Sequence, residues 1–300
     1  MCKSICFKKF TKKNWLLNGI KTPKYYEVRT YDQFIKTVME MKIPFIIKPV
    51  DSAGSRGISV INNTKIKNFD KFFEKAMNES KEKVIIIEDF IKGVEYVVDV
   101  LAVGNEIISL GLVEKKKVKN TNNTVAMSLQ TTNLSYSKIK HIKNYVSRAF
   151  SVLGLEDCAG HAELIIDNKG KIWMIEVAAR GGGFLVFDKL VPMMSGINLP
   201  AEVAKLALGL RDKNLKILSN NVLLYFFPSK KGTVKQITGF NDVLKIQNIE
   251  GQSFVSIEDK VRKVSSDGDR LGYLFAWGDN IRILEDKIRK AKKLIKFIII

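Results

Sequence analysis

Cysteine is scarce in this chain: Cys2, Cys6 and Cys158 are the only three in 300 residues, and none sits in a CxxC spacing. A disulfide scaffold and a zinc ribbon are thereby excluded, and free thiols in a reducing compartment are expected. Proline is also rare, at six, beside a hydrophobic fraction of 46%, which argues against disorder and for an ordered globular chain. No long apolar run occurs. The longest, 84–87 and 297–300, fall far short of the roughly 20 residues that span a bilayer. The start, MCKSICFKKF, has its basic residues after its few apolar ones, so it is not expected to be a signal peptide. A cytoplasmic protein with no membrane partner is expected. Acidic residues are outnumbered 31 to 50, giving a formal charge of +19. Such a charge suits nucleic-acid binding, but the lysines are spread along the whole length and no recognition motif accompanies them, so nucleic acid is not the expected partner.

Three hundred residues can bury one large core or two modest ones. Residues 8–18 read as a helix with a partial apolar stripe of Phe10, Trp15, Leu16 and Leu17, broken at Gly19. A second helix is expected over 31–41, capped near Thr30 or Asp32, and a buried strand over 45–49 ends in Lys48-Pro49. A loop of small residues, 51–57, leads to a strand over 58–61. A helix over 69–80 and a strand over 84–87 follow, the latter running into Glu88-Asp89-Phe90-Ile91. Residues 94–103 and 106–113 suggest a hairpin around Gly104-Asn105, and the lysines 115–117 with Lys119 a loop with a weak phosphate or substrate contact. Helices are expected over 138–153 and 199–208. From 222 onward the texture is short strands and turns, closing in a basic amphipathic helix over about 283–295.

The most informative stretch is 161–183, HAELIIDNKGKIWMIEVAARGGG. It reads as two apolar strands around an Asn168-Lys169-Gly170 turn, with Glu163 on the first strand and Glu176 on the second. Carboxylates are costly in strands this apolar unless they are partnered. Glu176 and Arg180 are four apart in an expected strand, so with Ala178 they point to one face. Glu163 stands opposite Glu176 if the turn is the two-residue Lys169-Gly170 form. A three-residue loop displaces one glutamate unless a β-bulge restores the register. His161 reads as a hydrogen-bonded strand histidine rather than a general base, and His141 as a surface helix residue. Upstream, a strand delivering Lys48 into Gly54, Ser55 and Gly57 is one way to wrap backbone N–H groups around phosphate oxygens. It is not a Walker loop, because GxxxxGK[ST] is absent.

In that order, IIKPVDSAGSRGISV, IIIEDFIKGVEYVVDV and HAELIIDNKGKIWMIEVAAR closely resemble the ATP-grasp superfamily, over roughly 8–210 well and 211–300 loosely. The resemblance implies an α+β fold in which two α+β lobes grip ATP. It implies a leading helical segment (1–23), a lid lobe (24–87), a catalytic lobe (88–210) and a small C-terminal β-rich segment with a terminal helix (211–300). Lys48 would contact the α- and β-phosphates, Gly54, Ser55 and Gly57 would close over the β- and γ-phosphates, and Lys8 would be a first ATP-contacting lysine, although the usual aspartate before it is Phe7 here. Glu88 with the backbone of Asp89 and Ile91 would present the adenine hinge, and Glu95 would take the ribose hydroxyls. Glu163 and Glu176 would hold magnesium, or manganese in its place, and Arg180 would face the γ-phosphate and the acyl intermediate. The implied activity is an ATP-dependent carboxylate–amine (or carboxylate–thiol) ligase passing through an acylphosphate, with small carboxylates and amines as substrates.

Two departures stand out. Ala178 occupies the place where many relatives carry an asparagine metal ligand. The N-terminal α/β domain of roughly a hundred residues usual in the family is not seen ahead of Lys8. A protein partner supplying that domain, or a nucleotide-binding subunit inactive alone, is therefore the alternative expectation. Residues 268–273, GDRLGY, resemble the C-terminal element of biotin-carboxylase-like and L-amino-acid-ligase-like members, and also read as a plain structural turn.

Overall fold

In the computed structural model, which describes residues 8–63, 68–118 and 125–300, the first helix turns its polar side inward. Lys8–Leu17 (α1) buries Lys8, Thr11, Lys12 and Trp15 and exposes Phe10, Leu16 and Leu17. The expected apolar stripe is thus wrong except at Trp15, whose indole N–H donates to the Ala149 carbonyl at 3.0 Å. Spacings of three and four place the buried set on one face. Cys2 and Cys6, and Lys119 of the expected lysine loop, lie outside the described residues.

Isoleucine and valine, which suit a pleated surface, build the first sheet. Tyr25–Val28 (β1), Phe45–Pro49 (β2), Ser59–Ile61 (β3) and Ile85–Asp89 (β4) pair in the order β1-β4-β2-β3, each contact antiparallel. Tyr31–Glu40 (α2) and Phe69–Asn78 (α3) pack on it through Phe34, Phe72 and Phe73, over Phe45, Ile47 and Ile87. Thr30 caps α2 by accepting from the Gln33 N–H, as its position predicts.

The second sheet has eight strands. Gly93–Val103 (β5), Glu106–Lys117 (β6), Ala126–Thr131 (β7), Cys158–Asp167 (β8) and Ile172–Ala178 (β9) are joined by Asn221–Pro228 (β10), Ile249–Ser253 (β12) and Arg270–Gly278 (β14). Their order is β12-β14-β10-β7-β6-β5-β8-β9. Because β10, β12 and β14 continue this sheet, the segment after residue 211 shares its backbone ladder with the glutamate hairpin. The lysines 115–117 belong to β6 rather than to a loop. Tyr136–Ser151 (α4) covers one face through Ile142, Val146 and Phe150, with Trp15 in the same cluster. A π-helical turn at Val186–Leu190 runs into Val191–Ser195 (α5). With Leu199–Ala207 (α6), these cover the other face through Leu190, Met194 and Leu206.

Gly232–Thr238 (β11), Lys260–Val261 (β13) and Lys296–Ile299 (β15) form a third sheet. Phe240–Val243 (α7) and Ile281–Leu294 (α8) pack with it and with Leu223, Tyr225 and Leu274. The basic helix α8 is therefore not the end of the fold, since β15 follows it and pairs with β11.

Candidate active site

The glutamate hairpin uses a three-residue loop. Asp167 N–H donates to the Lys171 carbonyl at 3.1 Å and Gly170 N–H to the Asp167 carbonyl at 2.9 Å, with Gly170 at φ +76°. Asp167 secures the turn: Oδ1 accepts from the Lys169 and Lys171 N–H groups, and Oδ2 from the Trp173 indole. On its own this loop would set the glutamates off register. An irregularity between Glu163 and Leu164, where Ile175 has no partner of its own, restores it. Leu164 pairs with Met174, Glu163 with Glu176 and His161 with Ala178. The two carboxylates thus face each other, each about one-third exposed or less.

Behind them lies a buried charge cluster that the sequence reading missed. Glu88 is 1% exposed and takes Lys48 Nζ on Oε1 at 2.5 Å and Lys12 Nζ on Oε2 at 3.0 Å. Lys12 also donates to Thr22 Oγ1 at 2.5 Å. Burial pushes the Lys12 ammonium down to about 8, although Glu88 pulls the other way. For Glu88, burial raises the pKa and the two lysines outweigh it, so the carboxyl sits below its ordinary value. Glu88 therefore uses its side chain as a counter-ion. Lys8 Nζ donates to the Ser52 carbonyl at 2.6 Å and lies 3.5 Å from Glu176 Oε1, tying the small-residue loop to the hairpin.

A second cluster crosses β5, β6 and β8. Glu95 pairs with Lys115 in the ladder, and its Oε1 and Oε2 take Lys115 and Lys117 at 2.6 and 2.5 Å. Lys115 also reaches Glu163 Oε1 at 3.0 Å. Burial opposes the Lys115 charge, but Glu163 and Glu95 more than offset it and hold its pKa above the ordinary lysine value. Burial likewise opposes the Glu163 charge. Lys115 and His161 overcome it and bring the carboxyl down to about 2. His161 Nδ1 lies 2.9 Å from Asp99 Oδ1, the hydrogen-bonded strand histidine expected, and its Nε2 is 3.9 Å from Glu163. His141 is exposed on α4.

Two adjoining cavities of about 550 Å³ each meet at Glu163, Glu176, Lys115 and Ser55, which line both. Such volumes suit small-molecule sites. One cavity runs over Lys48, Glu88, Asp89, Ile91, Val94 and Glu95. The other runs over Arg180, Phe184, Phe226, Arg262, Asp267 and Arg270. Arg180 lies beyond the end of β9, so strand alternation does not aim it; it is exposed, and its Nη1 donates to the Gly181 carbonyl. Gly54 lines the second cavity, and its carbonyl accepts from the Asp267 N–H at 3.3 Å.

Gly57 lines neither cavity. Its φ is +71°, and a Cβ there would meet Pro49 Cγ at 2.6 Å and Glu79 Cβ at 3.0 Å, so a side chain at this position is excluded by backbone conformation and by packing. Gly57→Val is expected to destabilise the fold by about 1–3 kcal/mol, read as a lower urea midpoint.

Residues 41–188 match the ATP-grasp domain family, and residues 224–299 match the L-amino acid ligase C-terminal domain 2 family. Residues 41–188 are thus an ATP-grasp domain. It is 30% identical over 169 residues to D-alanine–D-alanine ligase of Buchnera aphidicola, covering 55% of this chain and 52% of that protein. It is 28% identical over 189 residues to the Acinetobacter baylyi enzyme of the same name, covering 61% and 58%. The chain thus spans little more than half the length of these curated relatives. Among solved structures, L-amino acid ligase from Bacillus licheniformis superposes with a TM-score of 0.83 at 21% identity, over 99% of this chain and 73% of that one. The biotin carboxylase domain of Hydrogenobacter thermophilus 2-oxoglutarate carboxylase gives 0.78 at 16% identity, over 99% and 67%. These two share the fold.

The ATP-grasp frame brings together Lys48, Ser55, Glu88, Asp89, Ile91, Glu95, Glu163 and Glu176 around the first cavity, and Gly54 and Arg180 around the second. Lys8 lines neither and acts as a tie. Lys115 and Lys117, expected in a loop as a weak phosphate or substrate contact, instead alternate on a strand opposite Glu95. Arg270 sits in the GDRLGY element, and that element is both a turn and part of the site. Arg270 stacks 3.8 Å from the Phe226 ring centroid and donates to the Ala126 carbonyl and to Asp267.

The turn itself is built on Asp269, which accepts from Arg262 and from the N–H and hydroxyl groups of Ser265 and Ser266. Burial opposes its charge, but Arg262 and the serine donors bring the carboxyl down to about 2, below the unfolded value of 3.8. Its stabilisation is therefore complete above the unfolded pKa and is lost as pH falls through the folded one. Asp269→Asn should lower the thermal midpoint by roughly 2–4 °C at neutral pH. The gap from wild type should close in acid, which a pH series of melts measures.

Proposed function

We propose that this chain forms the ATP site of a carboxylate–amine (or carboxylate–thiol) ligase that works through an acylphosphate and releases ADP and phosphate. The observation that carries the reading is the position of the paired Glu163 and Glu176 at the junction of two cavities. On one side lie the Lys48 strand and the 88–91 hinge, and on the other Arg180. That division suits a nucleotide in the first cavity and an acid in the second, with the γ-phosphate between them.

The donor set fits magnesium. Two hard carboxylates face one another, and among the described residues no group of three or more His, Cys, Asp or Glu side chains is placed to hold an ion. Magnesium takes one or two carboxylates and completes its shell with phosphate and water, which accommodates Ala178. Manganese would be accepted by the same oxygens. Bound there, the ion would neutralise charge on the β- and γ-oxygens.

The chain's own residues do the rest. Lys48 supplies positive charge at the nucleotide cavity, and Ser55 and Gly54 bring backbone over the junction. Arg180 offers a planar set of donors to the transferring group. The substrate carboxylate would attack the γ-phosphate in line, and an amine or thiol would then displace phosphate from the acylphosphate. Keeping water out of the closed loop protects that intermediate. Glu95 holds Lys115 and Lys117, one on each oxygen, and the remaining lone pairs could accept from the ribose hydroxyls.

The test is a screen of acids paired with amines for ADP release, with mass detection of the condensed product. ADP that accumulates only when both an acid and an amine are present supports the ligase. ADP release indifferent to both, or none with any pair, contradicts it.

A further inference from the structure

Lys12 is as deeply buried as Glu88, at 1% exposed, and touches neither cavity. It is fixed at both sides, by Thr22 Oγ1 at 2.5 Å and Glu88 Oε2 at 3.0 Å. Lys48, which lines the nucleotide cavity, is held at 2.5 Å by the other oxygen of the same carboxylate. Two ammonium groups and one carboxylate leave this dry cluster one positive charge in excess.

We propose that Lys12 is the standing counter-ion of Glu88, which lets Lys48 leave that carboxylate for a phosphate oxygen without stranding a buried negative charge. The inference rests on the nucleotide reading of the first cavity. Consider the cluster without Lys12. Lys48 would be the sole partner of a carboxylate that is 1% exposed, and transferring Lys48 to a phosphate would bare that carboxylate in a medium that solvates it poorly. With Lys12 in place, Glu88 stays neutralised whichever way Lys48 points, and the excess charge meets the nucleotide's negative one. Lys12 is thus a positioning residue that acts through Glu88, and its effect falls on nucleotide affinity.

The test is a binding cycle on the full chain, titrating magnesium-ATP by calorimetry. Lys12→Met is expected to raise the Kd at least tenfold, equal to about 1.4 kcal/mol. Lys12→Arg, which keeps the charge, should stay near wild type. The decisive member is the double variant Lys12→Met/Glu88→Gln. With no carboxylate left to strand, it should bind more tightly than Lys12→Met alone, a rescue that a merely structural role for Lys12 would not give. If Lys12→Met does not fold, Lys12→Gln, which can still bond Thr22, takes its place in the cycle. Equal affinity of the charge-removing single variant and wild type, or no rescue in the double variant, overturns the inference while leaving the nucleotide site standing. A wild-type chain that binds no magnesium-ATP overturns the nucleotide reading, and this inference with it.

Discussion

Glu176→Gln should abolish magnesium-dependent turnover and leave the fold intact. The substitution keeps shape and volume but removes the charge that faces Glu163 across the hairpin. With two carboxylates facing each other there among the described residues, each would carry a large share of a bound ion's protein shell, and Ala178 offers no replacement. A loss of at least about a hundredfold in turnover is expected, at the upper end of what ligand-sphere changes cost. The fold should survive. Glu176 is partly exposed, and its ion pair with Lys8 spans 3.5 Å, a geometry that contributes little to stability. Lys8 keeps its shorter bond to the Ser52 carbonyl. Turnover as a function of magnesium concentration, beside a thermal melt, reads both parts. Unchanged activity removes the metal assignment, and a collapsed melt removes the claim that the residue is not structural.

Glu88→Gln should have the opposite profile, a loss of stability first. It leaves Lys12 and Lys48, both almost fully buried, with no carboxylate between them. Removing one partner from a buried ionic cluster costs about 3–5 kcal/mol, because the remaining charges are stranded. The urea midpoint at pH 7 should fall accordingly. Stranded lysines escape by losing protons, and Lys12 already sits at about 8. In the variant the folded chain binds fewer protons than the unfolded one up to the ordinary lysine pKa, so its stability rises with pH over that window. The deficit against wild type should therefore narrow as pH rises toward about 8, where Lys12 of the wild type also gives up its proton. A deficit that stays constant with pH would mean that the lost stability is packing rather than charge.

The two variants also mark what the sequence could and could not disclose. Glu163 and Glu176 were legible because carboxylates are out of place in strands as apolar as LII and MIEV. The register was legible only as a pair of alternatives. Which one holds depends on the bulge at Ile175, and that residue looks like any other strand isoleucine. Lys12 was not legible at all. Lysine is everywhere in this chain, and the helix that carries it displays Phe10, Leu16 and Leu17, which drew the apolar face to the wrong side. Tertiary contacts to Glu88, Thr22 and Ala149 decide which side is buried, and these lie from ten to more than a hundred residues away. Lys115 was misplaced for a different reason: three consecutive lysines read as a loop with a weak phosphate or substrate contact, whereas two of them face Glu95 along β6. The edge strand after α8 was likewise hidden, because Phe297, Ile298 and Ile299 fit helix or strand equally well.

The most direct test of the central claim, that an acid is activated by phosphoryl transfer at the Glu163–Glu176 junction, follows oxygen. A pair that releases ADP should be run with ¹⁸O in the acid's carboxylate, and the released phosphate examined by mass spectrometry. An acylphosphate route predicts that one carboxylate oxygen leaves with phosphate, so that the phosphate becomes heavier. Phosphate that stays light while ADP accumulates would contradict it and mark the site as hydrolysing ATP without activating an acid.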